Sequence, residues 1–251
     1  LLSAWIVSKF GQRGGFLLMA LLFFVGSLIA ALGQEFNMIV VGRVLQGVAA
    51  GVIQPLVMVV AFQVYPAERR GYAMALYSMG VFLAVAVGPI VGGFVIDWFN
   101  WRYIFWAPLP VIGIAALMAM VFVPSVRSEE KTPFDWTGYG LLLICVYCLI
   151  TALTEGVREG WTSTYILGLF VAGIGSGAAL IATQLRDRPT LIDISLFEHK
   201  QFAMTAIIAF VFGVGNFGTG YGVPVFVQLI QGMTPLDAAF VMLPSALLVV
   251  V

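Results

Sequence analysis

The stretch AVAVGPIVGGFVIDW, residues 84–98, is apolar and long enough for a helix, yet it carries Gly88-Pro89 at its centre and Gly92-Gly93 one turn later. In a soluble helix a central proline costs roughly 3 kcal/mol and each glycine about 1 kcal/mol. A sequence keeps such residues where two helices pack closely, where a hinge is needed, or where the surrounding medium lets neighbouring groups repair the backbone. The rest of the chain decides between these explanations.

The composition indicates a membrane protein. Of the 251 residues, 61% are apolar and 10% are charged, whereas soluble domains have roughly 45–50% apolar and 25% charged residues. Apolar runs of about 17–26 residues alternate with short charged segments, and most runs have the length needed to cross a hydrocarbon core of about 30 Å. The fold class that follows is an all-α polytopic membrane protein. The predicted spans are 16–33, 38–62, 72–97, 104–123, 138–154, 164–184 and 203–224.

The two ends of the chain are interpreted as half-spans. Residues 1–8 run apolar into a charged turn, and residues 238–251 stop within an apolar run. Neither end carries a start methionine with a basic region, a signal peptide or a closing tail. We therefore expect the chain to be the middle part of a longer protein.

The positions of the basic residues predict the orientation in the membrane. Nine Lys and Arg residues fall in four alternate segments between the spans, whereas Arg102 and Arg158 lie on the opposite side and Arg43 lies inside a span. Since an excess of positive charge marks the cytoplasmic side, we expect these four segments of a multi-pass protein to face the cytoplasm. No basic patch indicates a nucleic acid partner. The predicted cytoplasmic segments are 9–15, 63–71, 124–137 and 185–202.

Small residues in the span 72–97 recur every four positions and form one stripe. In lipid, where the hydrophobic effect does not drive helices together, such a stripe lets two backbones approach closely. Pro89 frees a carbonyl one turn earlier and is expected to bend the helix, which neighbouring helices can accommodate. Ordinary small-residue packing is the alternative on physical grounds alone. The stripe consists of Gly80, Ala84, Gly88 and Gly92, with Gly93 beside it.

The pattern GPxxGG in this span resembles the signature of the fifth helix in antiporters of the major facilitator superfamily, where it marks export-type members. VGRVLQGVAAG (41–51) resembles the fourth-helix motif of that superfamily, and SKFGQR (8–13) resembles the loop between its second and third helices. Four further segments resemble the fourteen-helix drug:proton antiporters within the superfamily, in the expected order. These are FNWRYIFW (99–106), PFDWTGYGLLL (133–143), TEGVREGW (154–161) and VFVQLIQGMTPLDAAFVMLPSA (225–246).

The resemblance implies a helical bundle of the major facilitator superfamily, from the end of helix two to the start of helix ten. It assigns 1–123 to the N-terminal six-helix bundle, 124–202 to two extra central helices with a linker, and 203–251 to the start of the C-terminal bundle. The two bundles of such transporters rock about a site near the midplane of the membrane.

The function implied by the resemblance is proton-driven export of amphipathic organic compounds, of the multidrug efflux type, by alternating access. The partners would be a small-molecule substrate, protons and the lipid bilayer, and whether a periplasmic adaptor takes part is left open. No cofactor or metal is expected, and an enzyme is not expected because no span carries paired His, Asp or Glu residues. The alternatives are a dedicated metabolite or siderophore exporter and a non-transporting sensor with a transporter fold.

Arg43 is the foremost candidate for a functional residue. A lone charge at membrane depth costs several kcal/mol, so it should face the bundle interior or a water-filled cavity. Arg43, Gln46 and Gln54 fall on one helical face, with Gly47 and Ala50 between them, which predicts a lining of the central cavity and a role in coupling. Alternatively, Arg43 extends its side chain to the outer interface about one and a half turns away.

The loop segment SKFGQR departs from the family pattern. The motif normally has glycine at its first position and aspartate at its fifth, where this chain has Ala4 and Ser8, whereas Lys9, Gly11 and Arg13 agree with it. In the family the aspartate is associated with a charge relay that closes the cytoplasmic side. Its replacement by serine therefore favours the non-transporting alternative.

Two weaker expectations concern other spans. Asn216, Thr219 and Tyr221 lie in the span 203–224 and are candidates for lining the cavity, although the glycines among them equally indicate a flexible helix. At the outer end of the glycine-rich helix we expect Asp97 to form an ion pair with Arg102.

Overall fold

The computed structural model describes residues 2–123, 125, 134–185, 194–234, 237, 238, 240–242 and 244. This part of the chain is helical and contains no strand. Short 3₁₀ turns occur at Ala67–Arg69 and Ile194–Glu198, and a π-helical turn occurs at Phe226–Ile230. The helices are α1 (Leu2–Leu32), α2 (Phe36–Val64), α3 (Arg70–Trp98), α4 (Tyr103–Trp106), α5 (Pro108–Phe122), α6 (Trp136–Glu159), α7 (Thr164–Gln184) and α8 (Lys200–Val225).

The predicted class, an all-α membrane protein of several spans, is confirmed. Among the described residues six helical segments are long and apolar enough to cross a membrane. The predicted span 72–97 forms α3, but the side chain of Pro89 lies outside the described residues, and so does the bend predicted for it. The six segments are Leu2–Leu32, Phe36–Val64, Tyr103–Phe122, Trp136–Glu159, Thr164–Gln184 and Lys200–Ile230.

Helix α1 is two helices joined at Gly11. The Gly11 backbone has φ 73° and ψ 175°, a conformation that is essentially restricted to glycine. A Cβ atom built on Gly15 would lie 3.0 Å from Cγ2 of Ile6, although residues nine apart in a straight helix are separated by about 13.5 Å. The chain therefore turns back at Gly11, and the turn predicted over 9–15 is reduced to a single non-helical residue.

The chain divides into two compact units, one formed by 2–130 with 211–251 and the other by 131–210. In the first unit α1 packs along α2 and also contacts α4 and α5, while α3 contacts α2 and α4. The domain boundaries predicted at 123 and 202 stay a prediction. Two apolar clusters stabilise the contact of α1 with α2 and α5: Ile6, Met19, Ala49 and Val52 form one, and Phe16, Ala20, Leu56 and Ala119 form the other.

The second unit contains the hairpin of α6 and α7. Asp135 caps α6, because its Oδ1 accepts a hydrogen bond from the Gly138 amide at 2.8 Å, and its Oδ2 accepts one from Nε2 of Gln184 at 2.8 Å. The helix is longer than the predicted span 138–154, since α6 begins at Trp136 and continues to Glu159. An ion pair of 3.3 Å between Arg158 and Glu155, one helical turn apart, accompanies this extension.

Candidate functional site

Arg43 lies in the second turn of α2, about 10 Å along the helix from Phe36, and its side chain is exposed. Its guanidinium carbon is 4.8 Å from the ring centroid of Phe105 in α4. Within the described residues Arg43 forms no hydrogen bond and no ion pair. Since α4 directly follows the predicted outer turn, the guanidinium contacts the helix next to that turn. Both interpretations of Arg43, the cavity lining and the extension to the outer interface, stay predictions.

Phe105 is a buried residue that the sequence analysis did not select. It is 5% exposed and packs in a cluster with Ala30 and Ala31 of α1, against which Ile39 of α2 also packs. The Phe105 ring therefore has fixed neighbours on two helices. An aromatic residue following the tryptophan-rich turn was visible in the sequence, but its pairing with Arg43 depends on the packing of α4 against α1 and α2.

The aromatic residues around Phe105 hold a second arginine. Trp101 meets Phe105 edge to face, with ring centroids 6.3 Å apart, and the Arg102 guanidinium carbon is 4.6 Å from the Trp101 centroid. The predicted ion pair of Asp97 with Arg102 is wrong, because the ion pairs among the described residues are those of Arg158. The neighbouring indole face offers the guanidinium a cation–π contact instead.

Gln46 faces α1 and not the open side of α2. Its Nε2 donates a hydrogen bond of 2.6 Å to Oγ of Ser27, and the two side chains are 7% and 0% exposed. Its Oε1 is buried and has no hydrogen-bond partner. The structure therefore separates Gln46 from Arg43, with which it was predicted to share a face.

The Gln46–Ser27 bond lies at a close crossing of α1 and α2. A Cβ atom built on Gly42 would lie 2.6 Å from the Gly26 carbonyl oxygen, and one built on Gly26 would lie 2.8 Å from the Gly42 carbonyl oxygen. Such distances show that the two backbones are in direct contact. This crossing was not among the predictions from the sequence, although Gly26 and Ala30 have the spacing of four that is typical of close helix pairs in membranes.

The remaining predicted face of α2 is open. Arg43, Gly47, Ala50 and Gln54 are exposed, and a Cβ atom built on Gly47 would have no described neighbour within 4 Å. These four residues still share one face of the helix. Their role as a lining of the central cavity stays a prediction.

The predicted stripe of α3 is also open in the described part of the chain. A Cβ atom built on Gly80, Gly88 or Gly92 would have no neighbour within 4 Å, and Ala84 is exposed. Gly93, predicted to lie beside the stripe, is buried. The close contact of the stripe with another helix stays a prediction. Within the described residues the glycine pair in direct backbone contact across two helices is Gly26 and Gly42.

The loop motif, residues 8–13, contains the point at which α1 turns back, and its side chains connect α1 to neighbouring helices. Ser8 donates a hydrogen bond of 2.8 Å to the Trp5 carbonyl within its own helix, and the Lys9 ammonium lies 5.0 Å from the Trp5 ring centroid. Gly11 provides the turn. Arg13 donates from Nε to the Val123 carbonyl at 2.8 Å, where α5 ends.

A buried glutamine beside this motif was also missed. Gln12 is 1% exposed and donates from Nε2 to Oε1 of Gln63, near the end of α2. Together with the contact of Arg13 with Val123, this bond places the ends of α2 and α5 next to the turn at Gly11. The turn at Gly11, the end of α2 and the end of α5, each next to a segment predicted to be cytoplasmic, therefore lie close together.

The candidates in α8 are all exposed. Thr219 donates a hydrogen bond of 2.8 Å to the Gly215 carbonyl of its own helix, and the side chains of Asn216 and Tyr221 are exposed. No described residue of α8 is buried. Their position in a cavity stays a prediction.

Comparison with known proteins places this chain in a family. The family model of the Major Facilitator Superfamily matches residues 1–251. An uncharacterized MFS-type transporter, YhcA of Bacillus subtilis, is 28% identical over 250 residues, which are 100% of this chain and 47% of the relative. The multidrug export protein EmrB of Haemophilus influenzae is 31% identical over 221 residues, 86% of this chain and 43% of the relative.

A third relative is the lincomycin resistance protein LmrB of Listeria monocytogenes, which is 30% identical over 224 residues, 89% of this chain and 47% of the relative. The chain thus spans about half the length of the curated relatives it matches. The relatives agree with the resemblance to drug antiporters, and the family is one of transporters and not of enzymes. The chain is a multi-pass membrane protein that belongs to the major facilitator superfamily.

Proposed function

We propose that this protein is a proton-driven exporter that carries amphipathic organic compounds out of the cytoplasm across the inner membrane by alternating access. The observation that carries the proposal is Arg43, a permanent charge within a helix of membrane-spanning length that has no acidic partner among the described residues. The names of EmrB and LmrB, a multidrug export protein and a lincomycin resistance protein, support export as the direction of transport.

The proposed role of Arg43 is to supply a positive charge on the open face of α2. Gly47, Ala50 and Gln54 extend this face along the helix without adding another charge. A guanidinium there can bind an acidic or polar group in one conformation of the transporter and release it in the other. A proton taken up by that group would change its attraction to Arg43, which links proton entry to the conformational change.

The test uses the full-length protein in cells and in proteoliposomes. Arg43→Ala should abolish export of a fluorescent organic cation without loss of membrane insertion, and Arg43→Lys should restore little of it because lysine lacks the planar set of donors. In proteoliposomes, export by the parent should require an imposed pH difference and stop when an ionophore dissipates it. Normal export by Arg43→Ala, or export that ignores the pH difference, would refute the proposal. Val48→Leu, at an exposed position of the same helix outside this face, serves as the matched control and should leave export unchanged.

A non-transporting sensor is the second candidate, and the hydrogen bonding of Ser8 favours it. Ser8 is committed to the Trp5 carbonyl in its own helix, and it has no charge to take part in a relay. If the missing carboxylate impairs transport, Ser8→Asp should increase export. A parent protein that exports none of a broad panel of drugs, metabolites and siderophores, together with a Ser8→Asp variant that does export, would favour the sensor.

A further inference from the structure

We propose that Phe105 is a positioning residue for Arg43, and that its ring fixes the guanidinium at the outer end of α2 without neutralising it. This inference rests on the proposed transport function of Arg43. The observation behind it is the distance of 4.8 Å between the guanidinium carbon and the Phe105 ring centroid. This distance lies within the range in which a cation is attracted to the face of an aromatic ring.

Phe105 is built into the packing and cannot follow Arg43 freely. It is 5% exposed, and the alanines it packs against, Ala30 and Ala31, are 0% and 3% exposed. Trp101 contacts it edge to face at 6.3 Å between ring centroids. Arg43, in contrast, is exposed and has no hydrogen bond within the described residues. The mobile partner is therefore the arginine, and the ring provides the fixed surface.

The chemical nature of this partner matters for coupling. A carboxylate beside Arg43 would neutralise its charge and occupy its N–H donors, whereas an aromatic ring attracts the cation through its quadrupole and accepts none of the in-plane hydrogen bonds. A guanidinium held on Phe105 keeps its donors available for a group that arrives during transport. The ring also limits the many rotamers of an exposed arginine, so less conformational entropy is lost when that group binds.

The test replaces Phe105 in the full-length protein by phenylalanine analogues with one, two and three ring fluorines. Fluorine withdraws electron density from the ring face and weakens cation binding stepwise, while the size of the side chain changes little. Maximal export should fall with each fluorine, by about tenfold over the series. The same analogues at Phe99, an exposed aromatic over whose ring no cation lies among the described residues, should leave export unchanged.

Thermal stability in detergent separates this proposal from simple packing and from the proposed function. With a positioning role, ring fluorination lowers the melting temperature only when Arg43 is present. If the fluorine series changes neither export nor melting, and Phe105→Leu lowers the melting temperature equally with arginine or alanine at position 43, the ring is only a core residue and the proposal is overturned. If Arg43→Ala exports like the parent, the proposed transport role of Arg43 fails. The proposal that Phe105 positions Arg43 is still supported in that case if ring fluorination lowers the melting temperature of the protein with Arg43 and not that of Arg43→Ala.

Discussion

Among single residues, Gln46 and Ser27 illustrate how a buried polar pair determines which side of a helix is the packed one. Residues 43 and 46 lie about 60° apart around a helix, so the sequence of α2 alone puts them on one polar face. The Gln46 amide instead reaches Ser27 of α1 at 2.6 Å. The direction of the Gln46 side chain depends on Ser27 in the partner helix. The pattern within α2 could therefore identify Arg43 as an unusual charge in a span, but it could not predict that Gln46 faces α1.

Removal of the Ser27 hydroxyl should destabilise the contact of α1 with α2. In Ser27→Ala the Nε2 of Gln46 stays buried without an acceptor, and we expect the free energy of unfolding to fall by about 0.5–2 kcal/mol. The double variant Ser27→Ala/Gln46→Leu removes both polar groups and should recover part of this loss. Equilibrium unfolding in detergent measures both effects. Equal stability of Ser27→Ala and the parent would show that the hydrogen bond contributes nothing.

At the level of helices, the crossing at Gly26 and Gly42 should tolerate no added side chain. A Cβ atom at Gly42 would lie 2.6 Å from the Gly26 carbonyl oxygen and 2.8 Å from Cβ of Ala30, and neither can move without separating the helices. We expect Gly42→Ala to destabilise the protein by about 1–3 kcal/mol. The matched control is Gly47→Ala, a little under one and a half turns further along the same helix, where the added Cβ meets no described atom within 4 Å.

Because alanine favours the helix over glycine by about 1 kcal/mol, Gly47→Ala should leave the melting temperature in detergent unchanged or raise it. Of the two variants, only Gly42→Ala should therefore lower the melting temperature. A fall of the same size in both would mean that the crossing at Gly42 is not the close contact that the distances indicate.

The stripe of α3 differs from the crossing at Gly42, because a Cβ atom added to its glycines would meet no atom in the described part of the chain. We expect another helix of the full-length transporter to cover it, so that Gly88→Leu lowers both export and thermal stability through the added bulk. Val87→Leu, an exposed neighbour outside the stripe, should affect neither. Export and melting of Gly88→Leu like those of the parent would show that the stripe faces lipid.

The existence and type of the helices could be predicted from hydrophobic length, but their ends depend on local chemistry. The span 164–184 agrees with α7, which begins after Ser163, whose Oγ accepts from the Ile166 amide. Helix α6 continues beyond its apolar run to Glu159, and Glu155 and Arg158 form an ion pair on the surface of this added turn. In α1 the chain reverses direction at Gly11 alone, and the charged residues on either side of it are helical. Hydropathy cannot indicate a reversal made by a single residue.

At the scale of the whole molecule, the turn of α1 and the ends of α2 and α5, which adjoin segments that the charge pattern assigns to the cytoplasmic side, lie close together in the structure. Bonds from Gln12 to Gln63 and from Arg13 to Val123 join the turn of α1 to the ends of α2 and α5. The contact of Arg43 with Phe105 lies at the other end of the same helices. The packing thus shows that successive connections lie at opposite ends of the helices. Which end faces the cytoplasm is predicted from the basic residues alone.

Labelling of single cysteines tests that identity. In a background without Cys145 and Cys148, we expect Glu68→Cys, in an exposed turn between α2 and α3, to be protected from a membrane-impermeant thiol reagent in intact cells. Thr162→Cys, in the exposed turn between α6 and α7, should react at once. Both should react after the membrane is permeabilised, which controls for accessibility.

The expectation follows from the nine basic residues of the predicted cytoplasmic segments, since positive loops are retained inside. The reverse labelling pattern would invert the orientation, place Arg43 and Phe105 at the cytoplasmic end, and remove the basis for proton entry from the outer side.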